Sequence, residues 1–334
     1  MLEPRLDLSV TIPESMAGAR LDDAVASLAD VSRDTARSLI RLRGVRVSRT
    51  RTPDAGTVLA AGDRIRIRWR GEGPAEAPAV RVVHRDEHLA VVVKPAGIPV
   101  TPARLGSGPC LLDVLSEQIS KDRGGAFHAT AVHRLDLPVS GVMVVANGAR
   151  AAARLTERFQ AHDVAKVYVA LVMRTPAGAA FLDRCRGQAV AVDAPLAWIG
   201  GSQKAVPGPG GKPSLSVVRW VADVGADLAL VALRLVTGRT HQARCHLAGV
   251  GVPVWRDRKY GAGVGHVPRG RTLVEGRDEA ERIALHAAYL RFPHPWSSGV
   301  VEHLELPEAD FWSGIARACD RGLADAVHEV AGER

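Results

Sequence analysis

Residues 71–79, GEGPAEAPA, divide this chain. Glycine, proline, alanine and glutamate make a linker composition, so the residues on either side must find their cores separately. A short module over 18–70 is expected before the linker. A larger domain over 80–310 and a helical tail over 311–334 are expected after it. Hydrophobic residues make up 46% and charged residues 24% of the 334, an ordinary globular balance that excludes global disorder. Aromatics are only 4%, which leaves alanine, valine and leucine to fill the cores. No run approaches the roughly 20 apolar residues of a membrane helix. The start, MLEPRLDLSV, mixes charges where a secretory signal carries an apolar segment. Cys110, Cys185, Cys245 and Cys319 are far apart, which argues against a disulfide framework and a cysteine-based zinc site. The expectation is a cytoplasmic protein without a membrane partner.

Charge is unevenly spread. The whole chain carries +8, and between Gly18 and Arg70 there are 12 arginines against six aspartates. Most of the positive excess therefore sits in the short module, which points to a polyanionic partner. There Leu21, Ala24, Val25 and Leu28 share one helical face. Ser32 is placed to cap a second helix with Leu39 and Ile40 on its apolar side, and Gly44 to end it. Val45 and Val47 alternate, as do Ile65, Ile67 and Trp69, which predicts short strands. Arg33, Arg37 and Arg41 recur every four residues on the second helix, with Arg43 and Arg46 at its exit. Only Asp34 on that helix could neutralise them, so these five arginines are candidate RNA phosphate contacts.

Beyond the linker, residues 80–83 and 89–93 predict a strand pair, with further strands at 142–146, 167–172, 228–236 and 284–292. Helices are expected at 111–119 and 151–159, and a loop or hairpin at 200–213. Strands and helices mix without a regular βαβ rhythm, which favours an α+β fold with a mixed, largely antiparallel sheet. His241 and His246 are five apart, off the spacing that puts two ligands on one helical face, and no metal site is expected.

Three segments concentrate polar side chains near strand ends. In HRLDLPVSG (133–141), Pro138 keeps Leu137 out of helix, so Arg134 and Asp136 point to the same side of an extended segment before an apolar strand. Lys166-Val167-Tyr168 places a phenol in an otherwise apolar strand. Thr237-Gly238-Arg239-Thr240-His241-Gln242-Ala243-Arg244 follows another. A carboxylate held ionised by an arginine could be a nucleophile or base without metal. A His133–Asp136–Ser140 hydrolase is disfavoured: the nucleophile elbow is missing, and the three residues are crowded into eight positions.

The segment HRLDLPVSGVMVVA resembles the central motif of the RluA-type pseudouridine synthases. KVYVA is similar to their tyrosine motif, LVTGRTHQARCHLAGVGVPV to their arginine motif, ALHAAYLRFPHP to a late strand and VVHRDEHLAVVVKPAGIPV to an early strand pair. Residues 18–70 resemble an S-four-type RNA-binding domain. Val139 stands where the family has threonine, and Val254-Trp255-Arg256-Asp257 departs from the usual approach to Tyr260-Gly261. The resemblance implies cofactor-free isomerisation of uridine in RNA, large-subunit ribosomal rather than transfer RNA, by a monomer. A non-catalytic RNA-binding or ribosome-assembly protein is the alternative. It further implies that Asp136 attacks or deprotonates the ribose, with Arg239 pairing with it. Tyr168 lies against the uracil and assists proton removal from carbon five, and Arg134 fills the space of the flipped base. His133 is expected to fix the loop. Arg244, Lys94 and His286 are expected to divide between structural roles and RNA phosphate contacts.

Overall fold

Alternating apolar residues close the basic module into a small αα-β arrangement. In the computed structural model, which describes residues 5–41, 44–50, 53–70, 79–101, 110–123, 126–200, 204–261, 282–307 and 315–332, β1 (Arg5–Thr11), α1 (Leu21–Ala29), α2 (Arg33–Arg41), β2 (Val45–Val47) and β3 (Arg64–Arg70) come first. The strands form an antiparallel sheet in the order β1-β3-β2. Leu21, Val25, Leu39, Ile40, Val45, Val47, Ile65 and Ile67 are buried together. The Ser32 hydroxyl accepts the Thr35 amide at 3.1 Å, capping α2 as its sequence predicts. Arg43, the side chain of Arg41 and residues 71–78 of the expected linker lie outside the described residues.

The expectation that Asp34 alone neutralises the α2 arginines is corrected. Asp22, fully buried on α1, accepts from Arg20 at 3.0 Å and Arg37 at 2.9 Å, with Arg33 at 3.4 Å. Arg33 also bonds Asp23 at 2.7 Å. Helix pairing brings the acidic start of α1 against α2, which a single-helix periodicity does not reveal. These guanidiniums hold the Asp22 carboxyl far below the usual range against the opposing effect of burial. Arg46 is exposed and has no ion pair among the described residues.

By compactness the chain forms two units, Met1–Val80 with Ile98–Ala129, and Arg81–Gly97 with Thr130–Arg334. The stretch expected as one domain from 80 thus gives α3 (Leu111–Arg123) to the first unit. The second unit holds β4 (Arg81–Arg85), β5 (Leu89–Lys94), β6 (Ala129–Ala131), β7 (Ser140–Asn147), α4 (Gly148–Gln160), β8 (Ala165–Met173), α5 (Ala179–Gly187), β9 (Val190–Asp193), β10 (Leu196–Ile199), β11 (Lys204–Pro207), β12 (Leu215–Val224), β13 (Leu228–Leu235), α6 (Gln242–Gly249), β14 (Leu285–Pro293), β15 (Val300–Leu304) and α7 (Ile315–Gly332). Its ten-stranded sheet runs β4-β5-β7-β14-β8-β13-β12-β9, with β15 beside β14 and β6 beside β7. The β7–β14 pair is parallel and the other pairs along this path are antiparallel, as the α+β expectation requires. β10 and β11 form the hairpin expected in the 200–213 region.

The sheet register positions the chemistry. Gly141 on β7 pairs with Ala287 on β14, Ala287 with Tyr168 on β8, and Tyr168 with Leu233 on β13. One line across the sheet therefore joins the exit of the Asp136 loop, the phenol, and the strand that leads to residues 237–244. Gly141 has φ +122°, and a Cβ there would fall 2.2 Å from the Ala287 carbonyl oxygen. No side chain fits between these strands.

Gly141→Ala should therefore part β7 from β14 and lower stability by roughly 3 kcal/mol or more. Denaturant unfolding monitored by circular dichroism measures this. A change below roughly 0.5 kcal/mol would contradict the close approach.

Candidate active site

Asp136 sits in the loop before β7, and the Val139 amide donates to its carbonyl at 3.1 Å, closing a turn over Leu137-Pro138. Three groups fix this turn. The Lys94 ammonium donates to the Pro95 carbonyl at 2.9 Å and the Leu137 carbonyl at 3.3 Å. Ser140 Oγ lies 2.9 Å from His286 Nδ1, whose Nε2 is 3.1 Å from the Glu305 carbonyl. His133 Nε2 accepts the Val144 amide at 3.1 Å, and its ring stacks on Phe159. Burial pushes Lys94 down to about 7, His286 to about 4 and His133 to about 3. Lys94 and His286 are thus loop supports and not phosphate contacts: both are buried and spend their polar atoms on backbone carbonyls or Ser140. His133 supports the loop, as expected. The Ser140 and His133 bonds lead away from Asp136 and leave no hydrolytic triad.

The expected Arg239–Asp136 pair is corrected to Arg244–Asp136. Arg244 Nη1 donates to Asp136 Oδ2 at 3.1 Å, while its Nε and Nη2 grip Asp257 at 2.7 and 2.9 Å. Arg239, exposed, donates through Nε to the Pro213 carbonyl at 3.1 Å. The start of α6 decides this. His241 adopts left-handed φ 58° as the N-cap, and Gln242 Oε1 accepts the Arg239 amide and the Thr237 hydroxyl. Arg239 stays in the turn before the helix, whereas Arg244, two residues into it, faces the interior at 5% exposure. Burial disfavours the guanidinium charge, but Asp257 and Asp136 outweigh it and raise its pKa above the ordinary value.

A cavity of about 580 Å³ opens on Asp136, and its lining includes Arg134, Lys166, Tyr168, Arg239, His241 and Arg244. The sequence-derived set therefore converges in the second unit, except for the N-terminal arginines. Tyr168 is 8% exposed, and burial, reinforced by the Asp136 charge, raises its pKa well above the ordinary phenol value. It stays protonated at neutral pH in the free protein, with its ring among the cavity-lining side chains.

Sequence reasoning missed four contributors. Asp257, at 1% exposure, orients Arg244; its signal was its position three residues before Tyr260-Gly261, which the departing loop obscured. Tyr260 Oη accepts the Ala205 amide at 2.8 Å and lies 2.8 Å from His241 Nδ1. With the hydroxyl proton given to Nδ1, the imidazole proton sits on Nε2, 3.9 Å from Asp136 Oδ2. Burial lowers the His241 pKa despite that carboxylate, which leaves Arg244 as the cation bonded to Asp136. Lys166 faces the same cavity with its ammonium 5.6 Å from the Phe159 ring, and burial pushes it down to about 8.

The chain matches the RNA pseudouridylate synthase family model over residues 88–249. It is 31% identical over 314 residues to the ribosomal large subunit pseudouridine synthase D of Vibrio cholerae, covering 91% of this chain and 93% of that protein. The chain belongs to the RluA-type pseudouridine synthases. It is also 34% identical over 227 residues to the dual-specificity RNA pseudouridine synthase RluA of Escherichia coli K12, covering 66% of this chain and 90% of that one. A human protein, RNA pseudouridylate synthase domain containing 1, shares the fold with TM-score 0.54 and 23% identity, covering 78% of this chain and 98% of that chain. This synthase is an isomerase. Among the described residues, no helix is long and apolar enough to cross a membrane, and no three His, Cys, Asp or Glu side chains converge as a ligand set.

Arg244→Lys should cost at least a hundredfold in activity, because an ammonium cannot grip Asp257 and Asp136 together as the planar fork does. Arg239→Ala should stay within about tenfold in single-turnover rate. Tritium release from carbon-five-labelled RNA compares them; the reverse order would restore Arg239 as the partner of Asp136.

Proposed function

We propose that this synthase converts uridines of large-subunit ribosomal RNA to pseudouridine without a cofactor, with Asp136 beginning the exchange. The observation that carries this reading is the Arg244–Asp136 contact at 3.1 Å, made inside a cavity that also holds Tyr168. A carboxylate bonded to a fixed guanidinium is held aimed, the condition for attack on the ribose or proton removal from it. In the isomerisation the bond from the ribose to uracil N1 breaks, the base turns, and carbon five joins the ribose. Carbon five then loses its proton and N1 gains one, so the reaction consumes nothing. The uridine cannot react within a stack, and it is flipped into the cavity beside Tyr168 while Arg134 fills the vacated position. Support for the ribosomal target comes from the Vibrio cholerae relative, a ribosomal large subunit pseudouridine synthase. A cytoplasmic monomer meeting ribosomal RNA completes the reading.

The basic module over 18–70 acts as an S-four-type RNA anchor in this scheme. Arg46 is its clearest phosphate contact, since Arg33 and Arg37 also neutralise Asp22. Arg41 and Arg43 add positive charge to the module, and Arg239 is exposed at the catalytic end. Arg244 is removed from the RNA-contacting set, because its polar atoms are spent on Asp257 and Asp136.

Asp136→Asn should leave less than about a thousandth of wild-type tritium release, with RNA affinity within a few-fold. Higher residual turnover would remove Asp136 from the chemistry. Carbodiimide-stop sequencing of a strain lacking the gene should show pseudouridine missing from large-subunit ribosomal RNA. Loss confined to transfer RNA would overturn the target assignment. Arg46→Ala should lower the salt slope of RNA binding by about one without loss of thermal stability. Arg37→Ala should lower stability as well, and a thermal melt separates the two.

A further inference from the structure

Five large hydrophobic side chains stand exposed among the described residues: Val58, Leu137, Trp198, Ile199 and Val300. Single exposed apolar groups are common and carry no meaning. Two of these five, however, are tied to the catalytic carboxylate, Leu137 by sequence and Trp198 through the ring of His241. Leu137 follows Asp136 directly, and Trp198 and Ile199 end β10. Trp198 is the one aromatic among them, with 51% of its surface open, in a chain where aromatics are 4% of residues.

The hairpin that carries Trp198 is tied to the site at several points. The Trp198 ring meets the His241 ring edge-on, with centroids 5.6 Å apart. His241 Nε2 in turn lies 3.9 Å from Asp136 Oδ2. Opposite Trp198 in register is Ala205, whose amide donates to Tyr260 Oη at 2.8 Å and whose carbonyl accepts the Cys245 thiol at 3.3 Å. The Leu196 amide and carbonyl both bond Lys212 at 2.9 Å. The indole is therefore held on a braced strand and not on a loose loop. Two lysines pair with this strand. Lys204 stands opposite Ile199, with its ammonium 6.0 Å from the Tyr260 ring centroid, and Lys212 bridges to β10. An open aromatic face among cations suits an unpaired nucleobase with its phosphates, because any base can stack and the cations meet the backbone.

We propose that Trp198 is the stacking platform for an unpaired base adjacent to the target uridine, holding the RNA strand at the mouth of the catalytic cavity. The proposal rests on the reading that RNA reacts at Asp136. A uridine flipped into the cavity leaves its neighbours without a stacking partner on one side. A fixed indole next to the cavity replaces that partner and steadies the opened strand. Trp198 is thus a binding and positioning residue and takes no part in proton transfer.

The test uses the intact protein with two single-stranded RNA decamers, both of cytidine with a single uridine at the fifth position. In one, the two nucleotides flanking that uridine are abasic. Wild type should bind the complete decamer about tenfold more tightly, with quenched indole fluorescence. Trp198→Ala should bind both equally at the weaker affinity, and Trp198→Tyr should restore most of the preference. In turnover of ribosomal RNA, Trp198→Ala should raise KM with kcat within about threefold. The proposal is overturned if wild type does not discriminate between the decamers. It is equally overturned if Trp198→Ala, folded by circular dichroism, keeps the preference. Failure of the Asp136 reading registers separately, as tritium release that survives Asp136→Asn, whereas the binding comparison requires no turnover.

Discussion

The site depends on one guanidinium. Arg244 is almost fully buried and joins two carboxylates, Asp257 through two bonds and Asp136 through one. A buried cation is costly unless paired, and a buried carboxylate is costly for the same reason. Asp257 makes the burial of Arg244 tolerable, and Arg244 then presents a fixed donor to Asp136, the one carboxylate lining the cavity among the described residues. The order of support runs from a closed ion pair to a half-open one.

Everything else in the second unit brings that pair together. The row Gly141, Ala287, Tyr168 and Leu233 crosses four strands, and its spacing tolerates no side chain at Gly141. The Asp136 loop is held from below by Lys94, His286 and His133, three titratable groups kept largely uncharged or internally bonded by burial. Their polarity is structural, in contrast to Arg134 and Arg239, which remain exposed at the cavity. The same division recurs in the basic module. Asp22 takes Arg20, Arg33 and Arg37 into an internal network, and Arg46 is left facing solvent. A count of arginines therefore overstates the charge available to a polyanion.

Local pattern made much of this legible in advance. Alternation located β3, continuous apolar runs located β5, β7, β8, β13 and β14, and capping chemistry located α2, because these depend on neighbours a few residues away. The segments around Asp136, Tyr168 and residues 237–244 could be singled out because polar side chains at the ends of apolar strands conflict with burial unless they serve a site. Strands such as β1, β9 and β12 escaped notice, since their stability comes from pairing partners far away in the chain.

The sequence by itself determined the residue types available for chemistry, the α+β class and the concentration of positive charge before residue 71. Only the tertiary structure decided which charges meet. Arg239 and Arg244 are alike in type and five residues apart. The left-handed turn at His241 sends one outward to the Pro213 carbonyl and the other inward to Asp136. Likewise Asp22 and Arg37 are 15 residues apart and pair because α1 and α2 pack together. Ion pairing falls off over a few ångströms, and separations of that size are fixed by packing and backbone handedness, which no periodicity along the chain encodes.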